Sequence, residues 1–191
     1  MAGKQAKTLS KQQLAAALRR AGRGRYPERD RAIILLSAKA GLRAGEIAKL
    51  TWPMVLDSQG RLSGFIELHD YAAKKRSGRT IPMHPELIQA LAALREQDGA
   101  SGPVLRSERG QALRPGSVVN WFAQLYRDLG FDGCSSHSGR RTFITNAARL
   151  VFKVGGSLRD VQQLAGHRSI EQTQAYIDGS ARAKRRLISL L

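Results

Sequence analysis

His137 and Arg140 stand three residues apart, His167 closes the stretch Leu164-Ala-Gly-His167, and Tyr176 comes nine residues later. Arg43 lies upstream in Gly41-Leu-Arg-Ala-Gly-Glu46. If the chain folds these groups together, cationic and imidazole side chains converge on one anion beside one phenol. That combination suits attack on a phosphodiester. The phenol must lose a proton whose ordinary pKa is about 10. Charge building on the phosphorane oxygens must be stabilised, and the departing oxygen must be protonated. Fixed cations meet the second need and, by favouring phenolate, help the first. Arginine suits the clamp because its planar fork bonds two phosphate oxygens and stays charged.

The elements that must position these groups are legible in outline. Ser10-Lys-Gln-Gln13 reads as a capping box opening a helix with Leu14, Ala17 and Leu18 on its apolar face. Residues 30–40 form a strongly apolar helix through Ile33, Ile34, Leu35 and Leu36, with Gly41 as its C′ residue. This helix gives Arg43 a rigid platform. A short helix over 46–50 is closed by Pro53. Phe65, Ile66 and Leu68 read as a strand, 74–78 as a basic turn and 79–83 as the return strand. Pro85 opens a helix running through Leu94, and 117–129 forms another, with Trp121, Phe122 and Leu125 inward. A helix over 137–150 sets His137 and Arg140 on one face. Ser135 or Ser136 could cap it, and its N-terminal amides would attract an anion. Ser157 with Asp160, and Ser169 with Gln172, read as two further capping boxes flanking the turn at His167. A basic terminal helix over 180–191 carries Leu187, Ile188, Leu190 and Leu191. The expected fold is mainly α with a small antiparallel β-sheet, about eight helices in all.

Bulk properties narrow the partners. The 191 residues, 32 Lys plus Arg against 15 Asp plus Glu, carry a net charge of +17, with an isoelectric point near 11.2. The basic residues are spread over Arg19, Arg20, Arg23 and Arg25, over Lys74, Lys75, Arg76 and Arg79, and over Arg140, Arg141, Arg182, Lys184, Arg185 and Arg186. So large an imbalance costs self-repulsion unless an anion offsets it, and its spread suits a wrapped duplex. A membrane surface fits less well, because no segment pairs a long lysine face with a broad Trp/Phe/Leu face. No apolar run approaches a membrane span or a signal-peptide core, and one cysteine, Cys134, excludes an internal disulfide framework. These features lead us to expect a cytoplasmic protein. That cysteine and the four histidines offer no metal-ligand spacing. No Gly-x-x-x-x-Gly-Lys loop is present for a nucleotide. Trp52, Trp121 and Phe143 are expected in the core, His69 and His84 on the surface without a role, and Cys134 without a role in the chemistry.

Taken together, these motifs resemble the catalytic domain of the tyrosine recombinases, the phage-integrase family, over residues 8–188. Arg43 matches the family's first arginine and Glu46 the acidic residue three places on. His137 and Arg140 match its His-x-x-Arg motif, Leu164-Ala-Gly-His167 its Leu-Gly-His box, and Tyr176 its nucleophile. The family's catalytic lysine lies about eight residues before the proline of a Val/Ile-Pro pair. Counting back from Pro82 gives Lys74, with Lys75 as the alternative, since adjacent strand residues point to opposite faces. The resemblance implies that Tyr176 forms a 3′-phosphotyrosine while Arg43, Arg140 and His167 hold the non-bridging oxygens. It implies that His137 aids proton transfer at the tyrosine, that Lys74 protonates the 5′-oxygen, and that no cofactor, metal or ATP is needed. Glu46 would orient Arg43, while Lys75, Arg76, Arg79 and Arg141 would contact DNA. The implied partners are double-stranded DNA, further copies of the chain in a tetramer on paired sites, and accessory DNA-bending proteins. The setting would be a phage, plasmid or other mobile element, or chromosomal inversion, acting at the nucleoid.

Two departures stand out. Where many members read His-x-Leu-Arg-His, this chain reads His-Ser-Gly-Arg-Arg, so Arg141 replaces the second histidine. Gly139 inside a helix costs up to about 1 kcal/mol. The expected organisation is a disordered basic N-terminus over 1–7, a catalytic domain over 8–179 and a C-terminal helix over 180–191 able to dock on a neighbouring protomer. No separate N-terminal DNA-binding domain is expected within these residues, as in either a stand-alone catalytic domain or a fragment of a longer protein. The competing readings are a non-catalytic DNA-binding regulator derived from an integrase and a DNA-relaxing enzyme of the type IB topoisomerase kind.

Overall fold

The computed structural model describes residues 6–73, 77–176 and 188–189. Two sequence readings therefore lie largely outside it: the basic turn of Lys74, Lys75 and Arg76, and the terminal helix over 180–191, of which Ile188 and Ser189 are described.

The described residues form eight α-helices and one two-stranded sheet: α1 (Lys11–Ala21), α2 (Pro27–Lys39), α3 (Ala44–Ala48), β1 (Phe65–Leu68), β2 (Arg79–Pro82), α4 (Pro85–Asp98), α5 (Pro115–Asp128), α6 (Ser138–Leu150), α7 (Leu158–Ala165) and α8 (Ile170–Gln174). This is the mainly helical fold with a small antiparallel sheet that the sequence implied. No helix among the described residues is long and apolar enough to cross a membrane.

Helix α2 is the centre of the fold. Ala32, Ile33, Ile34, Leu35 and Leu36 are each at most 2% exposed, so this stretch of the helix is apolar nearly all round and must be covered on all sides. It packs on α4 along one flank and on α6 along another. The α6 contact is close: a Cβ at Gly139 would collide with Ser37 Oγ and approach Ser37 Cβ at 2.9 Å. That crossing accounts for a glycine inside α6. The propensity cost is offset by bringing the start of α6 against the end of α2.

The strands pair antiparallel, with Ile66 opposite Ile81 and Leu68 opposite Arg79. Ile66, Leu68 and Ile81 are buried in the main core with Trp52, Leu87 and Phe122. A second, smaller cluster of Ile144, Ala148, Val151, Val161 and Ala165 lies between α6 and α7, and Phe143 and Tyr176 pack against it.

Several boundaries differ from the sequence reading. The Ser10 and Ser157 capping boxes form, but the Ser169 side chain caps no backbone N–H of its helix; its hydroxyl bonds the Glu171 side chain instead. Ala6 and Lys7, expected in a disordered tail, lie against the loop before α6, where Lys7 N donates to Gly133 O at 3.0 Å. Leu9 N then donates to Thr142 Oγ1 at 2.7 Å, pinning the segment to α6. His84, expected to have no role, caps α4 by accepting from Glu86 N through Nδ1 at 3.2 Å.

Candidate active site

Arg43 leaves α2 by way of Gly41, whose φ of 66° lies in the left-handed region that ends helices. A Cβ at Gly41 would also collide with the Phe143 ring. Arg43 is the N-cap residue of α3, and Glu46 closes the first turn by accepting from Arg43 N at 2.9 Å. The same carboxylate accepts from Arg43 Nη1 at 2.8 Å, which holds the guanidinium in place.

Glu46 is 1% exposed and has a second cationic partner. Arg79 donates from Nη1 and Nη2 to its two oxygens, at 3.2 and 3.0 Å. Burial alone would raise the Glu46 carboxyl, but the bonds and charges of Arg79 and Arg43 outweigh it and hold the group below its ordinary value. Arg79 also donates from Nε to Leu164 O at 2.9 Å. Its side chain is 7% exposed. Expected at a DNA contact, Arg79 is instead found engaged within the protein. On β2 it shares the inward face with Ile81, two residues on, because strand side chains alternate. It is an internal strut tying β2 to the Arg43 turn and to the end of α7.

His137 is the N-cap residue of α6, one position earlier than the helix itself. Neither Ser135 nor Ser136 caps the helix with its side chain. Instead Ser135 Oγ accepts from His137 N at 3.3 Å, and Ser138 Oγ accepts from Ser135 N at 2.9 Å, which shapes the turn before α6. Arg140 is 4% exposed. It donates from Nη1 to Gly41 O at 2.6 Å and from Nη2 to Ala165 O at 2.7 Å. Its fork thus joins the end of α2 to the end of α7. Burial, with the neighbouring charge of Arg43, pushes Arg140 down to about 9, still charged at neutral pH.

Helix α7 ends at Gly166, in the left-handed region at φ 62°, and a Cβ there would meet Arg79 Nη1 at 2.9 Å. The chain then turns, and His167 is held through its backbone: N donates to Gln162 O at 3.1 Å, while Gln162 Nε2 donates to His167 O at 3.1 Å. Its ring Nδ1 lies 3.0 Å from Thr173 Oγ1 on α8. Burial, then the charges of Arg140, Arg43 and Arg79, lower His167 to about 4. At neutral pH the ring is an uncharged hydrogen-bonding group among three guanidiniums. Tyr176 follows α8 directly, its ring nearly parallel to that of His167 at 5.6 Å between centroids and its face 5.5 Å from the Arg141 guanidinium carbon.

Arg43, His137, Arg140, Arg141, His167 and Tyr176 line one cleft of about 730 Å³, with half-buried Cys134 also on its wall. Arg43 shares the Glu46 carboxylate with Arg79, and Arg140 bonds backbone carbonyls instead of a carboxylate, so basic groups dominate the described wall of the cleft. An anion is the complementary occupant. Lys74, Lys75 and Arg76 lie outside the described residues. Sequence reasoning missed the inward strut of Arg79 and the hydrogen bond between Thr173 and His167. The first had a signal in strand alternation with Ile81. The second had one in helical spacing, since Thr173 precedes Tyr176 by three residues.

The chain matches the model of the Phage integrase family over residues 7–182. It is 30% identical over 149 residues to the tyrosine recombinase XerC of Rickettsia peacockii, covering 78% of this chain and 46% of that protein. XerC of Rickettsia prowazekii is 28% identical over 154 residues, 80% of this chain and 48% of its own. The chain thus spans about half the length of the curated relatives it matches. Among solved structures it resembles the Tn1549 transposon integrase in complex with a circular intermediate DNA, with TM-score 0.75 and 20% identity, covering 100% of this chain and 67% of that one. The XerA recombinase superposes with TM-score 0.72 at 24% identity, covering 96% and 64%. At these identities the structural likeness is one of fold.

Proposed function

The chain belongs to the phage integrase family, and from that membership we propose that it cleaves and rejoins DNA strands at specific sites through a 3′-phosphotyrosine intermediate. The observation that carries the reading is the convergence of Arg43, His137, Arg140, His167 and Tyr176 on one positively charged cleft.

In the proposed reaction Tyr176 Oη attacks the scissile phosphorus, and its proton passes to His137. Arg43 and Arg140 bond the non-bridging oxygens, where charge grows as the phosphorane forms. The neutral ring of His167 adds a hydrogen bond without adding charge. The bond from phosphorus to the 5′-oxygen breaks, and Lys74 supplies the proton to the leaving oxygen. The new phosphotyrosyl bond conserves the energy of the phosphodiester. The 5′-hydroxyl of a second strand then attacks it and releases the tyrosine. Arg141 adds a guanidinium beside the nucleophile and a contact to the DNA backbone, and Lys75 and Arg76 add further backbone contacts.

The partners in this reading are double-stranded DNA and further copies of the chain in a tetramer on paired sites. The apolar residues Leu187, Ile188, Leu190 and Leu191 are the segment proposed to dock on a neighbour, so truncation after Gly179 is expected to weaken assembly on DNA.

A nicked suicide duplex tests the chemistry. Cleavage beside the nick releases a short fragment and traps the covalent intermediate. The wild-type chain should become linked to DNA at Tyr176, and Tyr176→Phe should bind equally but never link. Equal binding with linkage by neither protein would leave a DNA-binding regulator as the function. Relaxation of a supercoiled plasmid lacking any specific site would point to the topoisomerase reading.

A further inference from the structure

We propose that Thr173 is the positioning residue for His167: its hydroxyl donates to Nδ1 and so sets the imidazole with its proton on Nε2, free to bond the scissile phosphate. The inference deepens the reading of the cleft as a strand-cleavage site and rests on it.

The geometry carries the argument. Thr173 is 0% exposed, and its Oγ1 lies 3.0 Å from His167 Nδ1. A hydroxyl has one proton to give, and a buried proton left without an acceptor costs about 1–3 kcal/mol. Among the described residues, Nδ1 is the acceptor that the Thr173 hydroxyl meets. Nδ1 must then present its lone pair. A neutral imidazole with an unprotonated Nδ1 carries its proton on Nε2. The ring is neutral because it is half-buried among Arg140, Arg43 and Arg79, which face it from α6, from the turn before α3 and from β2. Protonating both nitrogens would add a fourth positive charge and would turn the threonine hydroxyl round to accept from Nδ1–H, leaving its own buried proton to find another acceptor.

The placement of Thr173 gives the bond a second consequence. It sits on α8, three residues before Tyr176, whose ring stacks on His167. The same short helix therefore orients the phosphate-binding ring and delivers the nucleophile. If α8 moves away, His167 loses its tautomer as the phenol leaves, so the two groups are set together or not at all.

The test reads the ring first and the reaction second. Long-range ¹H–¹⁵N spectra of the DNA-free chain at pH 7 should show His167 with an unprotonated Nδ1 and a protonated Nε2. Thr173→Val, nearly the same shape without the hydroxyl, should give a mixture of tautomers, and Thr173→Ser should restore the single form. On the suicide duplex, Thr173→Val should cleave about 10-fold more slowly, less than the roughly 100-fold or greater loss expected on removing an oxyanion donor outright, with Thr173→Ser near wild type. An unchanged ring spectrum in Thr173→Val overturns the proposal, as does a changed spectrum with unchanged cleavage. If the wild-type chain shows the Nε2–H ring but never links to DNA, the cleavage reading fails while the bond stands.

Discussion

The rings of His167 and Tyr176 lie nearly parallel, with centroids 5.6 Å apart and planes inclined by 24°. Neither residue reaches this arrangement alone. His167 is fixed by the end of α7 and by Thr173, and Tyr176 rests on the small cluster of Ile144, Ala148 and Val161.

The first prediction concerns the charge of that imidazole. Its ordinary value of 6.5 falls to about 4 in the folded chain, first through burial and then through the adjacent arginines. The unfolded chain takes up this proton below 6.5, the folded chain only below about 4. Stability from the neutral ring is therefore fully present above pH 6.5 and is lost as pH falls from 6.5 towards 4. A histidine NMR titration of the DNA-free chain should give His167 a midpoint near 4. A midpoint near 6.5 would contradict the burial and charge argument.

The buried pair of Glu46 and Arg79 sets the second. Glu46→Gln leaves Arg79 and Arg43 without their shared anion and should cost about 3 kcal/mol in urea unfolding. The pH dependence follows from the carboxyl being held below its ordinary value. Its contribution is present above the unfolded value of about 4.5 and disappears as pH falls through the lower folded value. Wild type should lose stability on acidification through this window, and the glutamine variant should lack that component.

Gly139 and Ser37 provide the third. Gly139→Ala drives a methyl into Ser37 on α2 and should destabilise by about 2 kcal/mol through overpacking. Ser37→Ala in the same chain removes the colliding hydroxyl and should recover part of the loss. Ser37→Ala alone should be neutral or stabilising, because Ser37 Oγ is buried without a hydrogen-bond partner among the described residues. Thermal unfolding of the three variants distinguishes the crossing from a general helix-propensity effect, which Ser37→Ala could not relieve.

Arg140→Lys is the fourth. Lysine keeps the charge but cannot reach both Gly41 O and Ala165 O, which the arginine fork bonds at 2.6 and 2.7 Å. One buried carbonyl loses its partner, a cost of about 2 kcal/mol. Cleavage of the suicide duplex should fall about 100-fold or more, since the phosphate loses a preorganised donor. Retained cleavage would mean that charge alone suffices at this position.

Binding itself should depend steeply on salt. About eight phosphate contacts give a log–log slope of about −7. A titration of duplex affinity against salt concentration measures it, and a flat response would separate the net charge of +17 from DNA binding.

The sequence by itself determined the chemistry on offer and most of the elements. The order of Arg43, His137, Arg140, His167 and Tyr176 is read straight from the chain, and the His137–Arg140 spacing, the Ser10 and Ser157 caps, the Gly41 helix end and the Ile33–Leu36 run are local facts. Each is read within a few residues because helix caps and hydrophobic periods act over that range. Tertiary structure alone decided which side chains meet. Arg79 looks like one more member of a basic hairpin until the fold buries it against Glu46, 33 positions away. Gly139 looks like a flaw in a helix until Ser37 crosses it. Arg140 looks like a surface cation until its fork is seen to join Gly41 and Ala165 and so to be held in place. Such contacts depend on how whole helices pack, and packing is set by the shapes of surfaces far apart in the chain, which residue spacing does not record.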